Sequence, residues 1–243
     1  MLKGMLFDLG STLIDYDRTQ WERLEQDCLV AAHGYLSSKF NVPEQGLFKK
    51  LFMSEFHQAW QEADDSLIEL RFADWVSDFL IRHKIAEKDG AGHGFEEKYY
   101  DTILKQIKLI DGAREMLEEF KQKGLKIGLI SNSSFPAEFH LREMEQFGIA
   151  GYFDFTVFSS DFGYRKPHKE LFNLALGKLK LSPHQAVYLG DKLREDVGGA
   201  KGAGMKGILK FTEGRDYTYD VTPDAVVHSL NEVVPTVERL FSK

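Results

Sequence analysis

Cysteine is almost absent from this sequence. Cys28 is the only cysteine among 243 residues, so a disulfide within the chain and a zinc site built on cysteines are both excluded. No apolar run approaches the ~18 residues that would span a bilayer, and no basic segment or cleavage site at the start indicates a targeting peptide. These absences predict a cytoplasmic protein with no membrane partner.

Positive charge is also in short supply. Lys and Arg number 31 against 38 Asp and Glu, which gives a formal net charge of -7. Binding to a nucleic acid backbone needs clustered Lys and Arg that displace counterions, so a nucleic acid partner is not expected. No segment repeats with a period of ~20–50 residues, which argues against a repeat solenoid. The length and the 43% hydrophobic content instead fit one large domain, or a core domain with a second one inserted.

Short apolar runs recur along the chain, and each ends in small or acidic residues. Such runs are typical of buried parallel strands, and they are found at residues 4–9, 126–130, 155–158, 186–189, 207–210 and 225–227. The segments between them have helical spacing. One predicted helix, 113–123, ends before Gly124, and another, 167–179, begins at Pro167. This alternation predicts an α/β fold with a doubly wound, Rossmann-like parallel sheet, whose ligands bind beyond the carboxyl ends of the strands.

The segment between the first two strands, residues 16–107, contains no convincing strand. Its apolar residues fall at helical spacing and form an aromatic stripe that includes Trp21, Phe48, Phe52, Phe56, Trp60, Phe72, Trp75 and Phe79. The spacing fits the core of a small helical bundle better than a ligand site. A connection of about ninety residues far exceeds the ~2–6 residues of an ordinary βα loop. We therefore expect a helical cap domain over residues 16–107, inserted into an α/β core made of residues 1–15 and 108–243.

Polar groups follow the ends of several predicted strands. In chain order they are Asp8, Ser131 with Asn132, Lys166 a few residues beyond the third strand, and Asp191. Asp8 alone fits a turn former or a helix cap equally well. Because the carboxyl ends of parallel strands meet at one edge of a sheet, the four positions together predict a polar site there, with Asp8 as the candidate nucleophile.

These residues resemble the motifs of the haloacid dehalogenase-like hydrolase superfamily, in particular its members with a helical cap after the first strand. The first motif is matched at Asp8, Thr12, Leu13 and Asp15, the second at Ser131, the third at Lys166, and the fourth at Gly190, Asp191 and Asp196. The four motifs occur in order at successive strand ends and span nearly the whole chain, so the resemblance is specific. The cap matches only in position and helical character.

The resemblance implies a Mg²⁺-dependent phosphomonoester hydrolase that acts on a small phosphorylated metabolite. Asp8 is then the nucleophile that forms an aspartyl-phosphate, which water hydrolyses. Ser131, Asn132 and Lys166 are expected to bind the phosphoryl group, and Ser131 and Lys166 are also expected to be catalytic because they stabilise negative charge. The implied ligands of the metal are Asp8, the Gly10 carbonyl, Asp191 and, directly or through water, Asp196.

Gly10 departs from the family pattern. Most phosphatases of this superfamily have a second aspartate at this position, which protonates the leaving oxygen and later activates water. The Gly10 carbonyl still suits a metal, but the source of the proton is left open. Two alternatives stand beside the phosphatase. One is a hydrolytic 2-haloacid dehalogenase, against which Asp191 and Asp196 argue, and the other is a phosphate-binding protein that has lost turnover.

The remaining features of the sequence predict no further site. Residues 202–207 have the glycine spacing of a dinucleotide loop, but they close a helix instead of opening one, so caps and turns are expected there. The histidines are expected at the surface or in the cap, and His168 at a helix start. Arg165 is expected to face solvent or the cap. The acids of the cap, Glu62, Asp64, Asp65 and Glu69, are expected to form a solvated face.

Overall fold

The structure is a computed structural model that describes residues 1–15, 21–86 and 90–242. The predicted start of the cap at residues 16–20 and the side chain of Trp21 lie outside the described part. The strands are β1 (Gly4–Phe7), β2 (Ile14–Asp15), β3 (Lys108–Leu109), β4 (Lys126–Ser131), β5 (Phe155–Phe158), β6 (Ala186–Gly190), β7 (Lys206–Lys210) and β8 (Ala225–Val227). The helices are α1 (Trp21–Ser37), α2 (Gln45–Ser66), α3 (Phe72–Arg82), α4 (Ala91–Leu104), α5 (Ala113–Gln122), α6 (Ala137–Gln146), α7 (Ser159–Phe162), α8 (Lys169–Leu179), α9 (Gly199–Gly202) and α10 (Val233–Phe241).

One parallel sheet of six strands forms the centre of the molecule, in the order β5-β4-β1-β6-β7-β8. In the middle strand, Phe7 is aligned with Leu129 of β4 on one side and with Leu189 of β6 on the other. Alternate side chains of a strand point to opposite faces of the sheet, and an apolar cluster covers each face. Phe7 packs in the larger cluster, and Leu6 packs with Phe172 of α8 in the other. The predicted α/β fold with a doubly wound, Rossmann-like sheet is therefore confirmed.

Two predicted boundaries shift in the structure. β1 ends at Phe7, so Asp8 lies just beyond the strand. The predicted helix start at Pro167 is wrong. α8 begins at Lys169, and the side chain of His168 accepts a hydrogen bond from the Glu170 backbone N–H at 3.4 Å, which makes His168 the N-cap. The predicted turn at residues 202–207 is confirmed, since Gly204 has a left-handed φ of 81° between α9 and β7.

Helices α1 to α4 fill the described part of the segment between β2 and β3, and no strand occurs in residues 21–86 or 90–107. β2 and β3 pair antiparallel, with Ile14 opposite Leu109, so the two connections between sheet and helices run side by side. Within the described ranges, no helix combines the length and the apolar character needed to cross a membrane.

Aromatic side chains form the core of these four helices. The ring of Phe52 lies 5.0–5.8 Å from the rings of Phe48, Trp75, Phe79 and Phe95, measured between centroids. Contacts at this distance between offset or tilted rings stabilise a core beyond the area that they bury. The stripe therefore packs as the predicted bundle core, but its far end lines the cavity described next.

Candidate active site

A cavity of about 570 Å³ lies at the carboxyl ends of β1, β4 and β6. The sheet side contributes polar groups, namely Asp8, Gly10, Ser131, Asn132, Lys166, Asp191 and Asp196. The helices and the loop after β4 contribute a mainly aromatic wall, namely Phe56, Trp60, Phe72, Tyr99, Tyr100 and Phe135. The structure thus brings every site residue predicted from the strand ends to one cavity. It also adds an apolar wall to the cavity. The aromatic stripe supplies part of this wall, namely Phe56, Trp60 and Phe72.

Asp8 is held from three sides. Its backbone N–H donates to the Leu189 carbonyl at 2.9 Å, which continues the pairing of β1 with β6 by one residue. Its Oδ2 accepts a hydrogen bond from Thr12 Oγ1 at 3.1 Å, and its Oδ1 accepts one from Lys166 Nζ at 2.7 Å. Because both oxygens are bonded, the carboxylate has a fixed orientation at the sheet edge while it remains 6% exposed to the cavity.

Lys166 joins two acids through a buried ammonium group. Besides Asp8, its Nζ donates to Asp196 Oδ1 at 2.6 Å and to the Tyr188 hydroxyl at 2.9 Å. Burial alone lowers the pKa of this lysine, but the carboxylates of Asp196 and Asp8 outweigh burial and raise its pKa well above the usual value. Lys166 is therefore charged, and all three of its ammonium protons have acceptors.

Asn132 fixes the backbone at Lys166. Its Oδ1 accepts from the Lys166 N–H at 2.7 Å, and its Nδ2 donates to the Lys166 carbonyl at 3.1 Å. This pair of bonds ties the end of β4 to the loop before α8. Ser131, the last residue of β4, is 5% exposed and lines the same cavity. The second and third motifs are therefore held together by backbone hydrogen bonds of Lys166.

Three buried carboxylates meet in the cavity. Oxygens of Asp8, Asp191 and Asp196 lie within 4.8 Å of one another. Burial raises the pKa of Asp8 to about 6, against the opposing effect of Lys166, and Asp196 and Asp191 raise it further. The pKa of Asp191 is also raised, by burial first and then by Asp196, although Arg215 Nε donates to its Oδ2 at 2.6 Å. Lys166 and Arg215 each form an ion pair with one or more of these acids, and the three buried carboxylates form an all-oxygen ligand set of the kind that Mg²⁺ prefers.

Gly190 makes room for this cluster. A Cβ atom added to Gly190 would overlap the carboxylate of Asp196. Asp196 is also held by the Lys192 N–H, which donates to its Oδ2 at 2.9 Å. The glycine at the end of β6 is therefore required by close packing against an acid of the site.

The turn after Asp8 presents Gly10 and Ser11 to the cavity. Its left-handed residue is Ser11, with a φ of 62°. The Ser11 N–H donates to the Ile14 carbonyl at 2.6 Å, and its carbonyl accepts from Lys210 Nζ at 2.9 Å. Contacts with β2 and β7 therefore hold the backbone beside Gly10 in place.

One group of cavity residues was not found from the sequence. Ser133 Oγ lies 2.5 Å from His140 Nε2, and His140 Nδ1 lies 3.1 Å from Glu143 Oε2. The prediction that the histidines lie at the surface or in the cap is wrong for His140, which belongs to α6 and lines the cavity. Only the spacing of His140 and Glu143, three residues apart on a helix, was visible in the sequence, and that spacing is too common to indicate a site.

Two predictions about charged residues near the cavity need correction. Arg165 does not face solvent: it is 2% exposed and its guanidinium lies 4.5 Å from the ring centroid of Trp60, so only the cap-facing alternative agrees with the structure. Glu69 does not belong to a solvated face. It is 7% exposed, and its Oε1 lies 3.7 Å from Arg165 Nη1. The buried cation explains why Glu69 is buried with it.

The known proteins to which this chain is similar include several hydrolases. The family model described as haloacid dehalogenase-like hydrolase matches residues 5–210. The glyceraldehyde 3-phosphate phosphatase of Methanothermobacter thermautotrophicus is 30% identical, over 96% of this chain and 100% of the relative. The ribulose-1,5-bisphosphate 5-phosphatase of Halopiger xanaduensis is 28% identical over 54% of each chain. The crystal structure of a 2-haloacid dehalogenase from Pseudomonas syringae has a TM-score of 0.70 at 23% identity, over 98% of this chain and 99% of that one, which shows a shared fold.

Proposed function

Because the chain belongs to the haloacid dehalogenase-like hydrolase family and is a hydrolase of the phosphatase type, we propose that it hydrolyses a small phosphorylated metabolite through an aspartyl-phosphate on Asp8, with Mg²⁺ as its cofactor. One observation carries this proposal. Asp8 stands at the end of the central strand with both oxygens held, beside a charged lysine and two further buried acids. A nucleophile, a cation for the developing charge and a set of metal ligands are then within one cavity.

Asp8, the Gly10 carbonyl, Asp191 and Asp196 are the proposed ligands of Mg²⁺. When bound, the ion neutralises negative charge on the phosphoryl group and on the carboxylates, so that an anionic nucleophile can approach a phosphate. The meeting of three buried carboxylates within 4.8 Å supports this assignment. Asp196 also bonds to Lys166 and to the Lys192 backbone, which suits a ligand that acts directly or through a water molecule.

Each residue of the site then has its own role in the reaction. Asp8 attacks phosphorus, the bond to the leaving oxygen breaks, and water later hydrolyses the aspartyl-phosphate to release phosphate and restore Asp8. Ser131 donates its hydroxyl to a phosphoryl oxygen, and Lys166 stabilises the negative charge that develops there. Asn132 also binds the phosphoryl group. Through its two hydrogen bonds to the Lys166 backbone, it keeps the lysine in position.

Residues 16–107 form the proposed cap, and residues 1–15 with 108–243 form the proposed catalytic core. The aromatic wall that the helices contribute to the cavity supports this division, because the leaving group of a substrate bound at Asp8 would lie against it. The antiparallel pair of β2 and β3 stands at the two boundaries.

A screen of phosphorylated metabolites with Mg²⁺ tests the proposal. We expect release of inorganic phosphate from at least one ester, loss of release on chelation, and recovery when Mg²⁺ is added back. Asp8→Asn is nearly isosteric and should be folded but inactive. Asp191→Ala should bind Mg²⁺ more weakly by calorimetry, because one of few side-chain ligands is removed.

The alternatives predict other results. A dehalogenase would act on 2-haloacids and keep its activity in a chelator. A phosphate-binding protein without turnover would bind Mg²⁺ and inorganic phosphate but release no phosphate from any ester. Turnover of more than a few per cent in purified Asp8→Asn would remove Asp8 from the nucleophile role.

A further inference from the structure

A chain of polar side chains on the cavity wall has no role in the steps above. It runs from Ser133 through His140 to Glu143, and the Tyr100 hydroxyl donates to Glu143 Oε1 at its far end. Ser133 and Glu143 are 8% and 1% exposed, and the His140 side chain is 12% exposed. Every one of these residues lines the cavity that contains Asp8. A buried hydroxyl, imidazole and carboxylate in sequence form a path along which a proton can move.

The contacts around these side chains set the direction in which a proton moves between them. The Tyr100 hydroxyl donates its proton to Glu143, and His140 Nδ1 lies 3.0 Å from the Tyr100 oxygen and 3.1 Å from Glu143 Oε2. Because both oxygens can then only accept from Nδ1, they hold a proton on Nδ1. His140 Nε2 then faces the Ser133 hydroxyl, whose oxygen also accepts from the Phe135 backbone N–H at 3.0 Å. The imidazole ring is stacked on Phe158 at 4.8 Å between centroids, which fixes its plane. When Nε2 also carries a proton, the Ser133 oxygen accepts hydrogen bonds from Nε2 and from the Phe135 N–H. The Ser133 hydroxyl proton is then available to a third group in the cavity.

The cavity needs a proton donor of this kind. Gly10 has no side chain to protonate a leaving oxygen. Lys166 does not fill the role, because its three protons are committed to Asp8, Asp196 and Tyr188. The Tyr188 hydroxyl in turn donates to the Ile130 carbonyl at 2.8 Å. Ser133 lies two residues beyond Ser131, the last residue of β4, and both residues line the same cavity.

We propose that Ser133 protonates the leaving oxygen and that His140 supplies the proton, in place of the acid missing at Gly10. The inference rests on the proposed function. As the bond from phosphorus to the leaving oxygen breaks, the oxygen takes the Ser133 hydroxyl proton, and Ser133 takes the Nε2 proton of His140. The leaving group departs as a neutral alcohol and the imidazole becomes neutral. The water that attacks the aspartyl-phosphate returns a proton to His140 through Ser133, which closes the cycle.

In these steps Ser133 is the catalytic residue, and His140 and Glu143 are positioning residues that act through it. The leaving group distinguishes such an acid from a structural role. An alkyl phosphate needs protonation of its leaving oxygen, whereas acetyl phosphate releases a stable carboxylate and does not. Loss of a general acid therefore lowers the rate for one substrate and not for the other, whereas a distorted site lowers both.

The test compares kcat/KM for an alkyl phosphate and for acetyl phosphate, since this constant covers the steps up to departure of the leaving group. We expect Ser133→Ala and His140→Gln to lose about 10²–10⁴-fold on the alkyl phosphate, the usual size of general acid catalysis, with little change on acetyl phosphate. Ser134→Ala, a buried neighbour on the same loop, is the matched control and should change neither. Gly10→Asp added to Ser133→Ala should restore part of the alkyl phosphate activity, because it returns an acid to the family position.

Each remaining outcome counts against a named claim. An equal loss on both substrates, or no loss on either, would overturn the role of Ser133 while leaving the phosphatase assignment intact. His57 of α2 also lines the cavity. The same selective loss in His57→Gln and not in His140→Gln would overturn the proposal, because His57 would then supply the proton. No hydrolysis of either substrate by the unaltered protein would instead contradict the proposed function. Retained acetyl phosphate activity shows in the same assay that a variant is folded.

Discussion

At the scale of single residues, the site depends on charges that are buried together. Lys166 is 2% exposed between Asp8 and Asp196, and all three groups lose most of their hydration when the chain folds. A buried ion pair is held only if its remaining hydrogen bonds are made, and removal of one partner commonly costs about 3–5 kcal/mol. Here Thr12, Tyr188 and the Lys192 backbone make those bonds. Small steric changes beside the cluster should therefore affect both stability and metal binding.

Gly190→Ala tests this sensitivity. The added methyl group would overlap the Asp196 carboxylate, so Asp196 must move away from Lys166. We expect the free energy of unfolding to fall by about 1–3 kcal/mol, as for other overpacked sites, and Mg²⁺ affinity to fall with it. Urea denaturation and calorimetry measure the two effects. Gly177→Ala is the control, because nothing lies within 4 Å of its added Cβ. It should leave Mg²⁺ affinity unchanged and should not lower the free energy of unfolding, since alanine favours helix α8 over glycine. Equal behaviour of the two variants would contradict the packing at Gly190.

At the scale of elements, α4 packs against α1 and α3 through glycines. A Cβ on Gly94 would overlap the Tyr35 hydroxyl of α1, and one on Gly92 would overlap the backbone of α3 at Ala73. The close approach places Glu96 of α4 over the first turn of α3, where the Ala73 N–H donates to its carboxylate. Burial raises the pKa of Glu96 to about 7, an effect that Asp74 and Glu138 increase and the Ala73 hydrogen bond opposes.

This raised pKa predicts a pH-dependent effect of Glu96→Gln. Between pH 4.5 and about 7 the folded state holds a proton on Glu96 that the unfolded state has lost, so the stability of the unaltered protein falls as pH rises through this window. Glutamine does not ionise. We expect the variant to gain stability relative to the unaltered protein across the window, by about 1 kcal/mol, and the difference to level off above it. Urea denaturation from pH 5 to 8.5 measures it. A difference that does not change with pH would contradict the raised pKa.

The sequence predicts the strands and their ends but does not predict contacts between distant elements. Runs of apolar residues predict the strands and so place Asp8, Ser131 and Asp191 together, because the carboxyl ends of all strands in a parallel sheet lie at the same edge. The Ser133–His140 contact was not predictable, since it depends on how α6 turns back over the end of β4. Burial of Glu69 was missed for the same reason. Ile68 beside it is exposed, Leu70 is only half-buried, and Arg165, the partner of Glu69, lies about a hundred residues away.

At the scale of the whole molecule, the link between α2 and α3 joins the helices to the sheet. The Glu69 N–H donates to the Gly163 carbonyl at 2.9 Å, and the Phe72 N–H donates to the Ser134 carbonyl at 3.0 Å. The Glu69 side chain accepts from Ser159 Oγ at 2.6 Å, and Ser159 Oγ also accepts from the Ser133 N–H at 2.8 Å. The position of the helices is therefore coupled to the loop that carries Ser133.

Removal of Glu69 should weaken this attachment. Glu69→Ala leaves Arg165 buried beside Trp60 without its closest acid, and within the described chain Arg165 Nε and Nη1 already have no hydrogen-bond partner. We expect a loss of about 3–5 kcal/mol in the free energy of unfolding at neutral pH. Asp65→Ala, an exposed acid on α2, is the control. A loss for Glu69→Ala within the ~0.5 kcal/mol of ordinary surface substitutions would show that this contact does not hold the helices to the sheet.

The central claim is that Asp8 carries the phosphoryl group during turnover. The direct measurement is to quench the enzyme with acid during hydrolysis of its best substrate, reduce it with borohydride, and map the peptides by mass spectrometry. An aspartyl-phosphate is reduced to homoserine, whereas a free carboxylate is not. We expect homoserine at position 8 in the unaltered protein, and none in Asp8→Asn or without substrate. Modification at another acid, or an unmodified Asp8 peptide in an enzyme quenched while a covalent intermediate accumulates by burst kinetics, would contradict the account.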